Sequence, residues 1–168
     1  MNRLTKALFL LCFPLCASPL MGASYAVVAN GGENTISIID PNTNTATRTI
    51  RVDSSPSAVA ISPDGAYLYI ANSGSNTVSI YDMAAGRTIN TLLVGPNPNA
   101  IAISPIDSSI LYVLNEGNNT VSVIDTEFAG STGVSRVIST IGLTGGGGTA
   151  QSLNFAPPSS RYIYIPNY

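Results

Sequence analysis

The chain has 168 residues, 45% of them hydrophobic and only 10% charged, a length that suits one domain and a composition too apolar for a disordered chain. Seven basic against nine acidic residues give a net charge of −2, which excludes nucleic-acid binding through a basic, phosphate-neutralising surface. There is no histidine, hence no Ser–His pair, no imidazole proton shuttle and no His-based metal site.

Residues 1–24 read as a secretory signal peptide and not as part of the fold. Arg3 and Lys6 give a positive start, Ala7 to Leu15 is almost wholly apolar, and Gly22-Ala23-Ser24 offers small residues before a cut. The apolar run is too short for an ordinary membrane span, so no span is expected after cleavage. Ala17 and Ala23 are alternative cleavage points to Ser24. Cys12 and Cys16, the only cysteines, fall inside this segment, each preceded by leucine where a lipidated bacterial cysteine usually follows a small residue. The mature chain then has no thiol, no lysine, five arginines and nine acids, a charge of −4.

From residue 25 onward three sequence words keep one spacing. Val27-Val28-Ala29-Asn30 returns as Tyr69-Ile70-Ala71-Asn72, as Tyr112-Val113-Leu114-Asn115 and as Tyr164-Ile165-Pro166-Asn167, the asparagines lying 42, 43 and 52 residues apart. Asn34-Thr35-Ile36-Ser37-Ile38-Ile39-Asp40 returns from Asn76 to Asp82 and from Asn119 to Asp125. Ala58-Val59-Ala60-Ile61-Ser62-Pro63 returns from Ala100 to Pro105. In the clearest unit the alternating apolar runs predict strands at about Ala58–Ser62, Tyr67–Asn72, Thr77–Asp82 and Thr88–Val94. Between them, Pro63-Asp64-Gly65, Asn72 to Asn76, Asp82 to Gly86 and Gly95-Pro96-Asn97-Pro98 carry turn chemistry.

Four strands in about 42 residues, repeated head to tail, predict an all-β fold: a β-propeller of four-stranded antiparallel blades. Ala58 and Ala60 suit the crowded strand nearest the axis. The pattern resembles the YVTN β-propeller repeat, through Tyr69-Ile70-Ala71-Asn72, Tyr112-Val113-Leu114-Asn115, Ser62-Pro63-Asp64-Gly65 and the word from Asn76 to Asp82. The likeness covers 25–168 and implies a secreted, periplasmic or cell-surface propeller, as in surface-layer-like proteins of bacteria and archaea. Residues 25–168 make about 3.4 units, where a closed propeller needs roughly four to eight. The expectation is an incomplete propeller: three strands of one blade, two full blades, then two strands of another. A partial sequence and a half-propeller completed by another chain both fit it.

Asp40, Asp82 and Asp125 share one repeat position, so their expected role is structural, accepting backbone N–H bonds at a strand end. Asn30, Asn72, Asn115 and Asn167 are expected to cap strands at turns. The functional candidates are residues that the repeat does not need. Glu33 and Glu116 lie on one hairpin loop in different units, where the middle unit has Ser73 and Ser75; Glu127 and Arg136 flank an enlarged loop in the third unit. These four are candidates for contact with a partner, which export suggests is a protein or a cell-envelope component. Gly145 to Gly148 lacks the Lys-Ser/Thr ending of a phosphate loop. No motif specifies a catalytic residue, metal or cofactor. The reading that results is an exported, non-catalytic binding scaffold. The alternative is part of a lactonase-like or quinoprotein-type propeller enzyme whose site residues lie largely in other blades.

Overall fold

Short runs rich in Val, Ile, Thr and Tyr, punctuated by Asn, Gly and Pro, form thirteen strands among the described residues. The structure, a computed structural model, describes residues 25–126, 135–143, 150, 152–155 and 163–165. β1 (Ala26–Asn30), β2 (Thr35–Asp40) and β3 (Thr45–Arg51) form a three-stranded antiparallel sheet. β4 (Pro56–Ile61), β5 (Tyr67–Asn72), β6 (Thr77–Asp82) and β7 (Arg87–Leu93) form a four-stranded sheet in sequence order. β8 (Pro98–Ile103), β9 (Ile110–Asn115), β10 (Thr120–Asp125) and β11 (Arg136–Gly142) repeat it. β12 (Asn154–Phe155) pairs with β13 (Ile163–Tyr164). This is the expected arc of propeller blades, and the sheets do not close on one another among the described residues.

Each seam between sheets is an apolar layer. Ile36, Ile38 and Ile50 of the first sheet meet Leu68, Ile70 and Tyr81 of the second. Tyr69, Val78 and Ile80 on the other face of the second sheet meet Leu111, Val113 and Ile124 of the third. Leu114 and Val121 then meet Ala150 and Leu153. Because β5 and β6 pack on both faces, nearly every residue in them is buried, and the polar ones must find partners inside. The inner strands β4 and β8 lie in extensive contact, while the outer strands β7 and β11 barely touch. Small alanines line that narrow side, and the Ser57 hydroxyl donates to the Pro98 carbonyl at 2.6 Å across it.

The turns form as their residues dictate. Gly65 closes the β4–β5 hairpin at φ 72°, a left-handed conformation that favours glycine, with its N–H donating to Ser62 O at 2.8 Å. Asp82 Oδ1 accepts from the N–H groups of Ala84 and Ala85, both at 2.8 Å, and Asp40 Oδ1 from Asn42 N at 2.8 Å, the structural role expected of this position. Residues 1–24, Glu127, the glycine run at 145–148 and Asn167 lie outside the described residues.

Candidate functional site

The repeat asparagines are more deeply placed than strand caps. Asn72 and Asn115 are wholly buried, and each turns its amide inward onto the next strand. Asn72 Nδ2 donates to Ser79 Oγ at 2.9 Å and Thr77 Oγ1 at 3.2 Å; Asn115 makes the same pair with Ser122 (2.9 Å) and Thr120 (3.0 Å). Asn30 repeats it with Ser37 and Thr35 at 2.9 and 3.1 Å. The recurring Asn-Thr-x-Ser word is thereby explained. Its Thr and Ser accept from the preceding asparagine, and its own asparagine sits left-handed (φ 56° at Asn34, 58° at Asn76) and binds the connection to the next blade. Asn34 Oδ1 accepts from Ser55 N at 2.8 Å and Asn76 Oδ1 from Asn97 N at 2.9 Å. The amide N–H groups of Asn72 and Asn115 and the amide oxygens of Asn34 and Asn76 are thus spent inside the scaffold, while Asn72 Oδ1 and Asn115 Oδ1 are buried with no partner among the described residues.

The four candidates drawn from the sequence do not form one site. Glu33 is exposed on the β1–β2 hairpin, and Glu116 opens a 3-10 turn (Glu116–Asn118) after β9, with the whole middle sheet between them. Arg136 starts β11 opposite Asp125, at the other end of the blades. Glu127 lies outside the described residues. Of the three that are described, Glu116 is the one built into a polar cluster. Its Oε2 accepts from Asn97 Nδ2 at 3.0 Å and from Asn99 Nδ2 at 3.3 Å. Its N–H donates to Asn97 O at 3.0 Å. Asn99 Nδ2 also reaches the Ala150 carbonyl at 3.3 Å, while Asn99 Oδ1 is buried with no partner. Asn97 and Asn99 escaped the sequence reading because they fall in and beside a turn. The criterion that found Glu116 would have found them, since the preceding unit has Ser55 and Ser57 there. The cluster presents the Glu116 carboxylate and the exposed Asn97 amide at one end of the inner strands. It can accept hydrogen bonds from a ligand and holds no activated nucleophile.

At the opposite end, Ser62, Asp64, Tyr67, Tyr69, Ser108, Ser109 and Thr126 line a cavity of about 350 Å³. The Ser62 hydroxyl, at 2.5 Å, and Ala66 N, at 3.0 Å, hold the Asp64 carboxyl below its ordinary pKa, so it stays ionised and engaged. Burial pushes the Tyr69 phenol above its ordinary value; its hydrogen bond with Thr126 opposes this, and the Asp64 charge adds to the rise. Tyr69 is therefore a hydrogen-bond donor at neutral pH and not a base, and Asp64 is not a general acid. Among the described residues no group of three or more His, Cys, Asp or Glu is placed to hold a metal, and no helix is long and apolar enough to cross a membrane.

Three solved structures share this arrangement. Hydrazine synthase of Kuenenia stuttgartiensis aligns with a TM-score of 0.74 at 27% identity, over 84% of this chain and 38% of that one. A Desulfotomaculum acetoxidans DSM 771 protein of unknown function aligns with a TM-score of 0.65 at 18% identity, over 86% and 49%. A Bacteroides uniformis ATCC 8492 protein provisionally assigned as a 6-phosphogluconolactonase aligns with a TM-score of 0.68 at 16% identity, over 86% and 47%. The chain thus spans less than half the length of each. No curated protein matches it. The family model of the lactonase, 7-bladed β-propeller, matches residues 25–129, more than half of the sequence. A chain of propeller blades that matches this model over most of its described residues belongs to the lactonase, 7-bladed β-propeller, family.

Proposed function

We propose that the chain is an exported, non-catalytic β-propeller scaffold of the YVTN-repeat type, which binds a protein or a cell-envelope component. The observation that carries this is the cluster of Glu116, Asn97 and Asn99, three departures from the repeat that converge at one end of the blades. The repeat-position polar groups are spent inside the scaffold, and these three are not required by it. Export and residence at the periplasm or cell surface rest on the layout of residues 1–24.

The family match favours a second reading, a lactone-hydrolysing propeller that acts on a sugar lactone such as 6-phosphogluconolactone. The fold alone does not carry a reaction. The exported protein is incubated with a panel of γ- and δ-lactones, including 6-phosphogluconolactone, and acid release is followed by titration. In parallel, co-sedimentation with isolated cell envelopes is measured for the unaltered protein and for Glu116→Gln combined with Asn99→Leu. Envelope binding weakened at least fivefold in the double variant, with no lactone turnover, supports the scaffold. Lactone turnover above the spontaneous rate overturns it in favour of the enzyme.

A further inference from the structure

The cavity at the Asp64 end of the blades lies in the second seam, and strand register places its lining there. Along β5, Tyr67 and Tyr69 alternate with Leu68 and Ile70. Leu68 and Ile70 face the first sheet, so both tyrosines face the third, where Tyr69 packs with Leu111 and Ile124. Ser109 precedes Leu111 by two residues and Thr126 follows Ile124 by two, which puts both on that same face of the third sheet. Their backbones are joined, Thr126 N donating to Ser109 O at 2.7 Å. Ser62 and Asp64 complete the lining from the β4–β5 turn.

The first seam shows what the scaffold itself asks for at this place. At the 42- and 43-residue offsets of the repeat, the counterparts of Tyr69, Ser109 and Thr126 are Val27, Ala66 and Met83. Met83 N donates to Ala66 O at 2.9 Å in the same way, and Val27 and Met83 pack onto the apolar core. A seam therefore closes here with apolar groups, and the second seam has exchanged them for three hydroxyls. These hydroxyls are oriented. Thr126 Oγ1 donates to Ser109 O at 2.8 Å, so the Tyr69–Thr126 hydrogen bond takes its proton from the phenol. Ser109 Oγ donates to Asp107 Oδ1 at 2.6 Å, which leaves its own oxygen to accept. Asp64 is exposed and is the one charged residue of the lining. Its Oδ1 is engaged by Ser62 and Ala66, and among the described residues Oδ2 makes no hydrogen bond. An ionised carboxylate with no basic neighbour in the lining repels anions and is a strong acceptor for hydroxyl donors. The half-buried Tyr67 adds aromatic surface beside it. The volume of about 350 Å³ lies at the small end of the range for ligand pockets.

We propose that this cavity binds a neutral sugar, whose hydroxyls donate to Asp64 and whose C–H face lies against Tyr67. The inference is independent of the Glu116 cluster, which sits at the other end of the blades. Its test uses the full chain after export, with the methyl glycosides of glucose, galactose, mannose and N-acetylglucosamine as probes in calorimetric titrations. Glucose 6-phosphate and gluconate serve as anionic controls. At least one neutral glycoside is expected to bind, and the anionic probes at least tenfold more weakly than it. Asp64→Asn keeps an acceptor for Ser62 and Ala66 and is expected to weaken binding at least fivefold. Tyr69→Val combined with Thr126→Met rebuilds the first-seam lining and is expected to abolish it. Arg51→Gln, on the first sheet, should change it less than twofold. Thermal melts report whether each variant keeps the fold, and the exposed Asp64→Asn carries the test if the seam variant does not. Failure of every glycoside to bind, preference for the anionic probes, or binding that survives unchanged in Asp64→Asn overturns the site.

Discussion

Replacing Asn72 by alanine tests whether the repeat asparagines are structural. The side chain is 0% exposed and donates to Ser79 and Thr77. Thr77 retains Asp53 (2.9 Å) and Ser75 (2.9 Å) as partners, so it is not orphaned. Ser79 is 2% exposed and loses its side-chain donor, at a cost of about 1–3 kcal/mol for a buried unpaired hydroxyl. The emptied space adds on the order of 1 kcal/mol. Against this, Asn72 Oδ1 is already buried without a partner, and its removal returns about 1 kcal/mol. The balance is a destabilisation of about 2 kcal/mol, or roughly 4–8 °C in Tm for a chain of this size. Urea unfolding of the full chain should show the midpoint fall with little change in slope. A double-mutant cycle with Ser79→Ala should give a coupling of about 1 kcal/mol. Asn30→Ala, at a half-buried copy of the same position, should cost less. A loss below about 0.5 kcal/mol for Asn72→Ala, or zero coupling to Ser79, would refute the inward amide as a stabilising element.

Gly65→Val places a β-branched residue at φ 72° with its Cβ 3.3 Å from the Tyr25 hydroxyl, which donates to Gly65 O at 3.1 Å; denaturant melts should show a loss of about 1–2 kcal/mol, and unchanged stability would contradict the turn. Tyr69 holds its proton more tightly folded than unfolded, so its contribution is complete below the ordinary phenol value of 10.0 and is lost as pH rises through the higher folded value. Unfolding free energy should fall between pH 10 and the folded value, and fall less steeply in Tyr69→Phe; equal slopes in the two proteins would remove the burial effect. Export from a bacterial host should remove residues 1–24, and mass spectrometry finding intact Met1 in secreted material would defeat that assignment. Among the described residues the first and last sheets hold three and two strands against four in each of the middle two, so light scattering on residues 25–168 should show self-association; a strictly monomeric species with a sharp cooperative melt would count against it.

Strand positions were legible because they depend on local chemistry. Tyr67–Asn72 and Thr77–Asp82 stand where the alternation and the flanking turn residues put them. The inner and outer strands begin at Pro56 and Arg87, one or two residues earlier than expected, because pairing with a neighbour extends a strand beyond its apolar run. The candidate site was half legible. Glu116 departs visibly from its repeat position, but its partners Asn97 and Asn99 belong to a different hairpin of the same blade group, and their convergence depends on how the connection folds back onto the β9–β10 loop.

The blade is set locally: a 42-residue period, four strands, and the turns that Gly65 and Asp82 close all follow from interactions within a few residues of the chain. The direction in which the polar groups of those strands point follows instead from packing between sheets. Sheets packed on both faces leave Asn72 no water, so its amide turns onto Ser79 and does not cap a turn at the surface. The same packing separates Glu33 and Arg136, and it brings Ile36 and Ile38 against Leu68 and Ile70, residues most of a repeat apart that meet because neighbouring blades stack side by side.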